Sequence, residues 1–178
     1  MTNRAGTIEV YADAGALAEA AAQRCVRLAL QSVAARGRFT VALAGGTTPN
    51  QVSDLLATHY RDAVPWPVID FFWGDERHVP PTHHESNYRA AYDAMLGRVP
   101  ASPDRVHRMR GELPNAQAAA VDYDQVLRRA FALQDGELPR FDLVLLGLGS
   151  DGHTASLFPG SDVLLDRGRL VRAPWVEL

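Results

Sequence analysis

Three apolar runs of strand length each lead straight into a polar, glycine-bearing loop. This feature constrains the fold more than any other in the chain. FTVALA (39–44) enters Gly45-Gly-Thr-Thr-Pro49, VIDFFW (68–73) enters Gly74-Asp-Glu-Arg-His78, and FDLVLLG (141–147) enters the loop Gly147–His153. Apolar runs without alternation are what strands buried on both faces look like. Helical stretches separate them. Asp13 caps a predicted helix to about Arg36, with Leu17, Ala21, Cys25, Leu28 and Val33 near one stripe and Gly37 as the stop. A second helix follows the first loop to about Tyr60, Ser86 caps a third over NYRAAYDAMLG, and residues 115–133 form an Ala-rich amphipathic fourth. Shorter strands are expected at TIEVYA (7–12), around Val106–Met109 and at GRLVRAP (168–174). The alternation predicts an α/β fold, a mostly parallel Rossmann-like sheet with helices on both faces. With 178 residues, no internal repeat and no linker, one domain over 1–178 is expected.

In open parallel sheets, ligands bind beyond the carboxyl ends of the strands, so the three loops are expected to gather at one edge. The first has anion-binding chemistry. Gly45 and Gly46 allow a tight turn and close approach. Thr48 is the expected N-cap, with Pro49 in the first helical position and Gln51 at capping-box spacing. The free N–H groups of that helix start, with the hydroxyls of Thr47 and Thr48, would face a phosphate. The alternative is an ordinary strand-to-helix turn with a good cap. The second loop sets Asp75, Glu76, Arg77 and His78 at a strand end. Arg77 suits a phosphate or a neighbouring carboxylate, and the two acids suit sugar hydroxyls or a histidine. The alternative there is a solvated charge cluster.

The third loop, GLGSDGHTASLFPG, spells G-x-G-x-x-G after a strand, the beginning of a dinucleotide fingerprint. Two features exclude that reading. Pro159-Gly160 breaks any helix within two turns, and only 26 residues follow Gly152. The glycines instead place Asp151 and His153 at the strand end, where an imidazole can take a proton from water.

Composition removes further classes. The formal charge of −3 gives no general attraction to nucleic acid or anionic membrane. All eighteen basic residues are Arg, so neither a Schiff-base lysine nor a Walker-type loop is possible. Cys25 is alone and is expected to be a buried structural thiol. The start of the chain lacks an apolar signal core, and a cytoplasmic location is expected. His78, His83 and His84 fall in an H-x4-H-H spacing that matches no helical or knuckle ligand pattern. No metal site is assigned to them, and His59 and His107 are read as structural or exposed.

AGGTTP, FFWGDERHVPPTHHESNYR and FDLVLLGLGSDGHTASLFPGS together resemble the 6-phosphogluconolactonase family, within a superfamily that includes glucosamine-6-phosphate deaminase and ribose-5-phosphate isomerase. The resemblance runs from the first helix to about Ser161. It implies hydrolysis of 6-phosphogluconolactone to 6-phosphogluconate in the pentose phosphate pathway, without metal or cofactor. His153 would activate water, and Asp75 and Asp151 would orient that histidine or bind the sugar. Gly45, Gly46, Thr47 and Thr48 would hold the phosphate with Arg77, and Glu76, Asn87, Gly152 and Thr154 would complete the substrate contacts. The alternatives are a deaminase-like isomerase and a non-catalytic sugar-phosphate binder. The expected partner is the small sugar-phosphate lactone, with neither nucleic acid nor membrane, in a monomer or weak homo-oligomer. Members of the resembled family continue further, so the chain is expected to lack their C-terminal strands and helix.

Overall fold

The computed structural model describes residues 6–175. Helix α1 spans Ala14–Arg36, strand β1 Phe39–Leu43, helix α2 Thr47–Ala57 and strand β2 Ile69–Trp73. Helix α3 (Asn87–Ala94), helix α4 (Ala116–Phe131) and the short strand β3 (Leu143–Val144) follow. All three strands are parallel, in the order β2-β1-β3. The chain leaves β1 to one side for β2 and returns to the other side for β3. That reversal opens a crevice at the carboxyl end of β1.

Alternate residues of the central strands divide the core. Phe39, Val41, Leu43, Ile69, Phe71 and Trp73 pack with Ala29 of α1, Ala57 of α2 and Ala91 of α3. Ala42 and Phe72 face the opposite way, onto Tyr123 and Leu127 of α4. Helices thus cover both faces of the sheet, as the alternation predicts. Phe72 is fully buried, a burial that contributes about 2–3 kcal/mol. The Tyr123 hydroxyl accepts from the Trp73 amide at 2.9 Å, fixing α4 to the end of β2 just before the second loop.

Local signals placed three helix ends, while α2 and α3 stop at Ala57 and Ala94, short of the expected Tyr60 and Gly97. Asp13 accepts from the Ala16 amide, and Gly37 ends α1 in a left-handed turn. Ser86 caps α3 through the Arg89 amide, and Asn115 caps α4. The buried stripe of α1 is instead Ala18, Ala22, Cys25, Ala29 and Ser32, while Leu17 is exposed. Small side chains let α1 sit close against α2 and the sheet, so the larger ones flank the contact. Cys25 is buried as expected, and burial pushes its thiol up to about 11.

Three expected strands do not form. Residues 7–11 lie outside the sheet with Ile8 and Val10 each 90% exposed, because no described strand lies alongside to pair with them. Val106 makes one isolated parallel bridge to Phe71, and residues 168–174 form no strand. Among the described residues no helix is long and apolar enough to cross a membrane.

Candidate active site

The first loop ends in an uncapped helix. The N-cap is Gly46, with φ of 108°, rather than the expected Thr48. Helix α2 therefore begins two residues early, at Thr47, and no side chain caps it. Without that cap, the Thr47 and Thr48 amides keep free donors among the described residues, and Pro49, now in the third helical position, contributes none. Gly46 and Thr47 lie at the surface, with Thr48 half-buried. Gly45 lies against the second loop so closely that a Cβ there would fall 1.9 Å from Asn87 Oδ1. Only glycine fits this approach.

The second loop divides its acids between two tasks. The Glu76 carboxylate is consumed by the start of α3. It accepts from the Asn87 amide at 2.7 Å, the Tyr88 amide at 2.9 Å and the Ser86 hydroxyl at 3.0 Å. Glu76 therefore holds α3 in place, a use that the residue type and position did not reveal. Asp75 is half-buried and faces the centre. Its Oδ1 accepts from Asn87 Nδ2 at 3.3 Å, and its Oδ2 accepts from the Ser156 hydroxyl at 2.9 Å. Asn87 also donates to the Asp75 carbonyl at 3.0 Å. Arg77 is exposed, and its guanidinium makes no ion pair among the described residues. His78 is turned away and meets the Leu113 carbonyl at 2.9 Å. His107 is structural: it bonds Asp70 at 3.0 Å and stacks on Phe72.

The third loop folds on itself. The Gly149 amide donates to the His153 carbonyl at 2.8 Å, Gly152 turns with φ of 87°, and the Thr154 hydroxyl donates to the Gly147 carbonyl at 2.8 Å. A Cβ at Gly149 would fall 2.3 Å from the His153 ring, so any larger residue here would displace the imidazole. Among the described residues no α-helix follows the glycines, only a single 3-10 turn at Asp162–Leu165, so the long helix a dinucleotide site needs is not formed there. Asp151 Oδ1 accepts from the His153 amide at 3.1 Å and meets Nδ1 of the same residue at 2.6 Å. Those two bonds, from the backbone first and the ring second, hold the Asp151 carboxyl below its ordinary range. An ionised carboxylate accepts only, so Nδ1 carries the proton, and in the neutral form of the ring the lone pair is on Nε2. Phe158 stacks on the imidazole with centroids 4.5 Å apart and fixes the ring plane. Among the described residues no group bonds Nε2.

The three loops thus join through a chain of contacts: Gly45 against Asn87, Asn87 to Asp75, and Asp75 to Ser156, three residues beyond His153. Asp75 touches Asn87 and Ser156, while Asp151 is the acid that orients His153. Ser156 and Phe158 were missed as site residues, although both stand in the quoted string TASLFP. The arrangement offers a held imidazole with a free nitrogen, uncapped helix amides, and an exposed guanidinium on the same sheet edge.

Residues 12–175 match the family described as glucosamine-6-phosphate isomerases/6-phosphogluconolactonase. The chain is 39% identical over 165 residues to the 6-phosphogluconolactonase of a Nostoc species, covering 93% of this chain and 68% of that protein. It is 43% identical over 141 residues to the 6-phosphogluconolactonase of a Synechocystis species, covering 79% of this chain and 58% of that one. Among solved structures, the 6-phosphogluconolactonase from Trypanosoma brucei superposes with a TM-score of 0.76 at 32% identity, over 94% of this chain and 68% of that one.

Proposed function

The chain belongs to the glucosamine-6-phosphate isomerase/6-phosphogluconolactonase family, and from that premise we propose that it hydrolyses 6-phosphogluconolactone to 6-phosphogluconate with His153 as general base. The observation that carries the reading is the Asp151–His153 pair at 2.6 Å, one loop away from an uncapped helix start. Asp151 keeps the proton on Nδ1, so Nε2 accepts one from water as that water adds to the lactone carbonyl. The resulting tetrahedral oxyanion collapses and the ring C–O bond breaks. The proton on Nε2 goes to the departing ring oxygen, which becomes the sugar hydroxyl. A lactone is an activated ester, so the sequence of steps uses neither a covalent nucleophile nor a metal.

The Thr47 and Thr48 amides at the positive end of α2 suit the phosphate group, with Arg77 as the counter-charge. Asn87 and Asp75, locked together, suit the sugar hydroxyls between phosphate and lactone. Thr154 and Gly152 shape the loop that presents the imidazole, and Glu76 acts from behind by holding α3.

The test is lactone opening measured against spontaneous hydrolysis, with binding of 6-phosphogluconate measured in parallel by calorimetry. His153→Ala is expected to lose roughly 10²–10⁴-fold of the enzymatic rate while retaining product binding and circular dichroism. Binding without any acceleration by the unaltered chain would refute the catalytic reading and leave a sugar-phosphate binder.

A further inference from the structure

The loop between β2 and α3 carries a second cluster of chemistry-bearing side chains that takes no part in the steps above. His83, His84 and Glu85 place one donor atom each within 4.8 Å of one another. The His83 and His84 ring centroids are 4.4 Å apart at 34°, and His83 Nδ1 lies 3.7 Å from Glu85 Oε2. The H-x4-H-H spacing concealed this grouping. Folding removes His78, which is bonded to the Leu113 carbonyl, and brings in the carboxylate of Glu85 instead.

The loop is held at both ends. The His83 amide donates to the Pro80 carbonyl at 2.9 Å, and the Ser86 amide donates to the His83 carbonyl at 3.0 Å. Arg89 reaches back from α3 to the Thr82 carbonyl at 2.7 Å. Ser86, next in sequence after the cluster, is buried and caps α3. The backbone that carries the three donors is therefore ordered before any ligand arrives, which lowers the entropy cost of binding. His83 Nδ1 accepts a long 3.3 Å contact from the Glu85 amide, so its lone pair already faces the carboxylate side. An ion can take over that lone pair by displacing one weak bond.

We propose that His83, His84 and Glu85 form a surface site for a borderline divalent transition-metal ion, of the zinc, nickel or copper type. Two imidazoles and one carboxylate suit such ions, whereas magnesium and calcium prefer all-oxygen ligands. His84 and Glu85 are exposed, so the remaining coordination positions are open to water. A bound ion would tie the loop to the start of α3 and stabilise the folded chain by mass action. The proposal does not depend on the lactonase reading, since none of the three residues belongs to the proposed hydrolytic machinery.

The experiment titrates untagged chain with zinc chloride by calorimetry, then follows thermal unfolding with and without zinc. Copper(II) with electron paramagnetic resonance reads the number of coordinated imidazoles. One saturable ion per chain, a raised Tm and a two-nitrogen copper signal are expected. The H83Q/H84Q variant should keep its circular dichroism and lose more affinity than the roughly 10–100-fold that removing an outer-shell partner costs. Absence of saturable binding by the unaltered chain overturns the proposal. So does binding that survives in H83Q/H84Q, including the case in which it then disappears with His153→Ala.

Discussion

Asp151 decides which nitrogen of His153 can work. It accepts from the backbone amide at 3.1 Å and holds Nδ1 at 2.6 Å. An amide in its place keeps the size of the side chain but loses the charge and permits the opposite tautomer. Asp151→Asn is therefore expected to lower kcat within the roughly 10²–10⁴-fold span of general-base catalysis while leaving KM close to unchanged. Steady-state kinetics that raise KM alone would place Asp151 in substrate binding instead. Gly45 sets a different constraint. An alanine Cβ there would collide with Asn87 Oδ1, a buried amide already committed to Asp75. Gly45→Ala is expected to cost more in kcat/KM than in stability, because the displaced group is the joint between the first two loops. Kinetics beside a urea denaturation curve separate the two effects. Glycine at 45 was legible from the sequence as a tight turn, but its neighbour was not, since Asn87 lies 42 positions along the chain by its number. Asp75 and Ser156 stand farther apart still, and a contact of that kind leaves no local pattern to read.

Strand β3 is only two residues long, and side chains reinforce its ladder bonds, which run from the Asp142 amide to the Thr40 carbonyl at 3.1 Å and from the Leu145 amide to the Ala42 carbonyl at 2.9 Å. Asp142, just before it, accepts from the Thr40 amide at 2.8 Å and the Ser32 hydroxyl at 2.9 Å, and pairs with Arg36. These contacts join β1, α1 and β3. Burial tends to raise the Asp142 carboxyl, but the Thr40 and Ser32 bonds and the Arg36 charge outweigh it and the net direction is down. A carboxyl depressed in the folded state adds stability above its unfolded value, ~3.9, and loses it as the pH falls through the folded value. Asp142→Asn should therefore cost about 2–3 kcal/mol at neutral pH, as breaking a partly buried charged network does. The gap from the unaltered chain should narrow in strong acid. Urea midpoints at neutral and acid pH check both statements; a gap independent of pH would remove the charge from the account. At this scale the sequence was readable where signals were local. Asp13, Gly37 and Ser86 mark their helix ends with side chains or backbone turns of their own, whereas Asn115, read as part of α4, is its cap. It was unreadable where an element needs a partner. TIEVYA alternates as a strand should, yet no described strand lies beside it. GGTTPNQ pointed to Thr48 as the cap, but the chain starts α2 two residues earlier, which leaves the helix amides bare.

The molecule as a whole covers its parallel sheet unevenly. Leu143 and Leu145 of the third strand region pack into the core on the side of α1 and α2. On the opposite face, α4 lies over Ala42 and Phe72 and stops short of β3. Val144 pairs with Ala42 in register, yet it is 45% exposed, and Leu146 and Leu148 rise to 59% and 81%. A parallel strand is ordinarily buried on both faces. Here one side of β3 carries a strip of three large apolar residues at alternating positions, beside a strand edge with no partner among the described residues. Such a strip combines an apolar patch with free backbone donors and acceptors, the two conditions for association through a sheet edge. The 178-residue chain is therefore expected to self-associate as its concentration rises, and to bind a hydrophobic dye in the folded state. Val144→Lys with Leu146→Lys replaces two of its three members without touching the inward-facing Leu143 and Leu145. The double variant should remain monomeric at concentrations where the unaltered chain does not, with its hydrolytic rate preserved if the site needs no second copy. Light scattering coupled to size exclusion supplies the masses. A monomeric unaltered chain at every concentration reached would overturn the expectation that the exposed strip drives association, and a double variant that is monomeric but inactive would place the association itself among the requirements of the site.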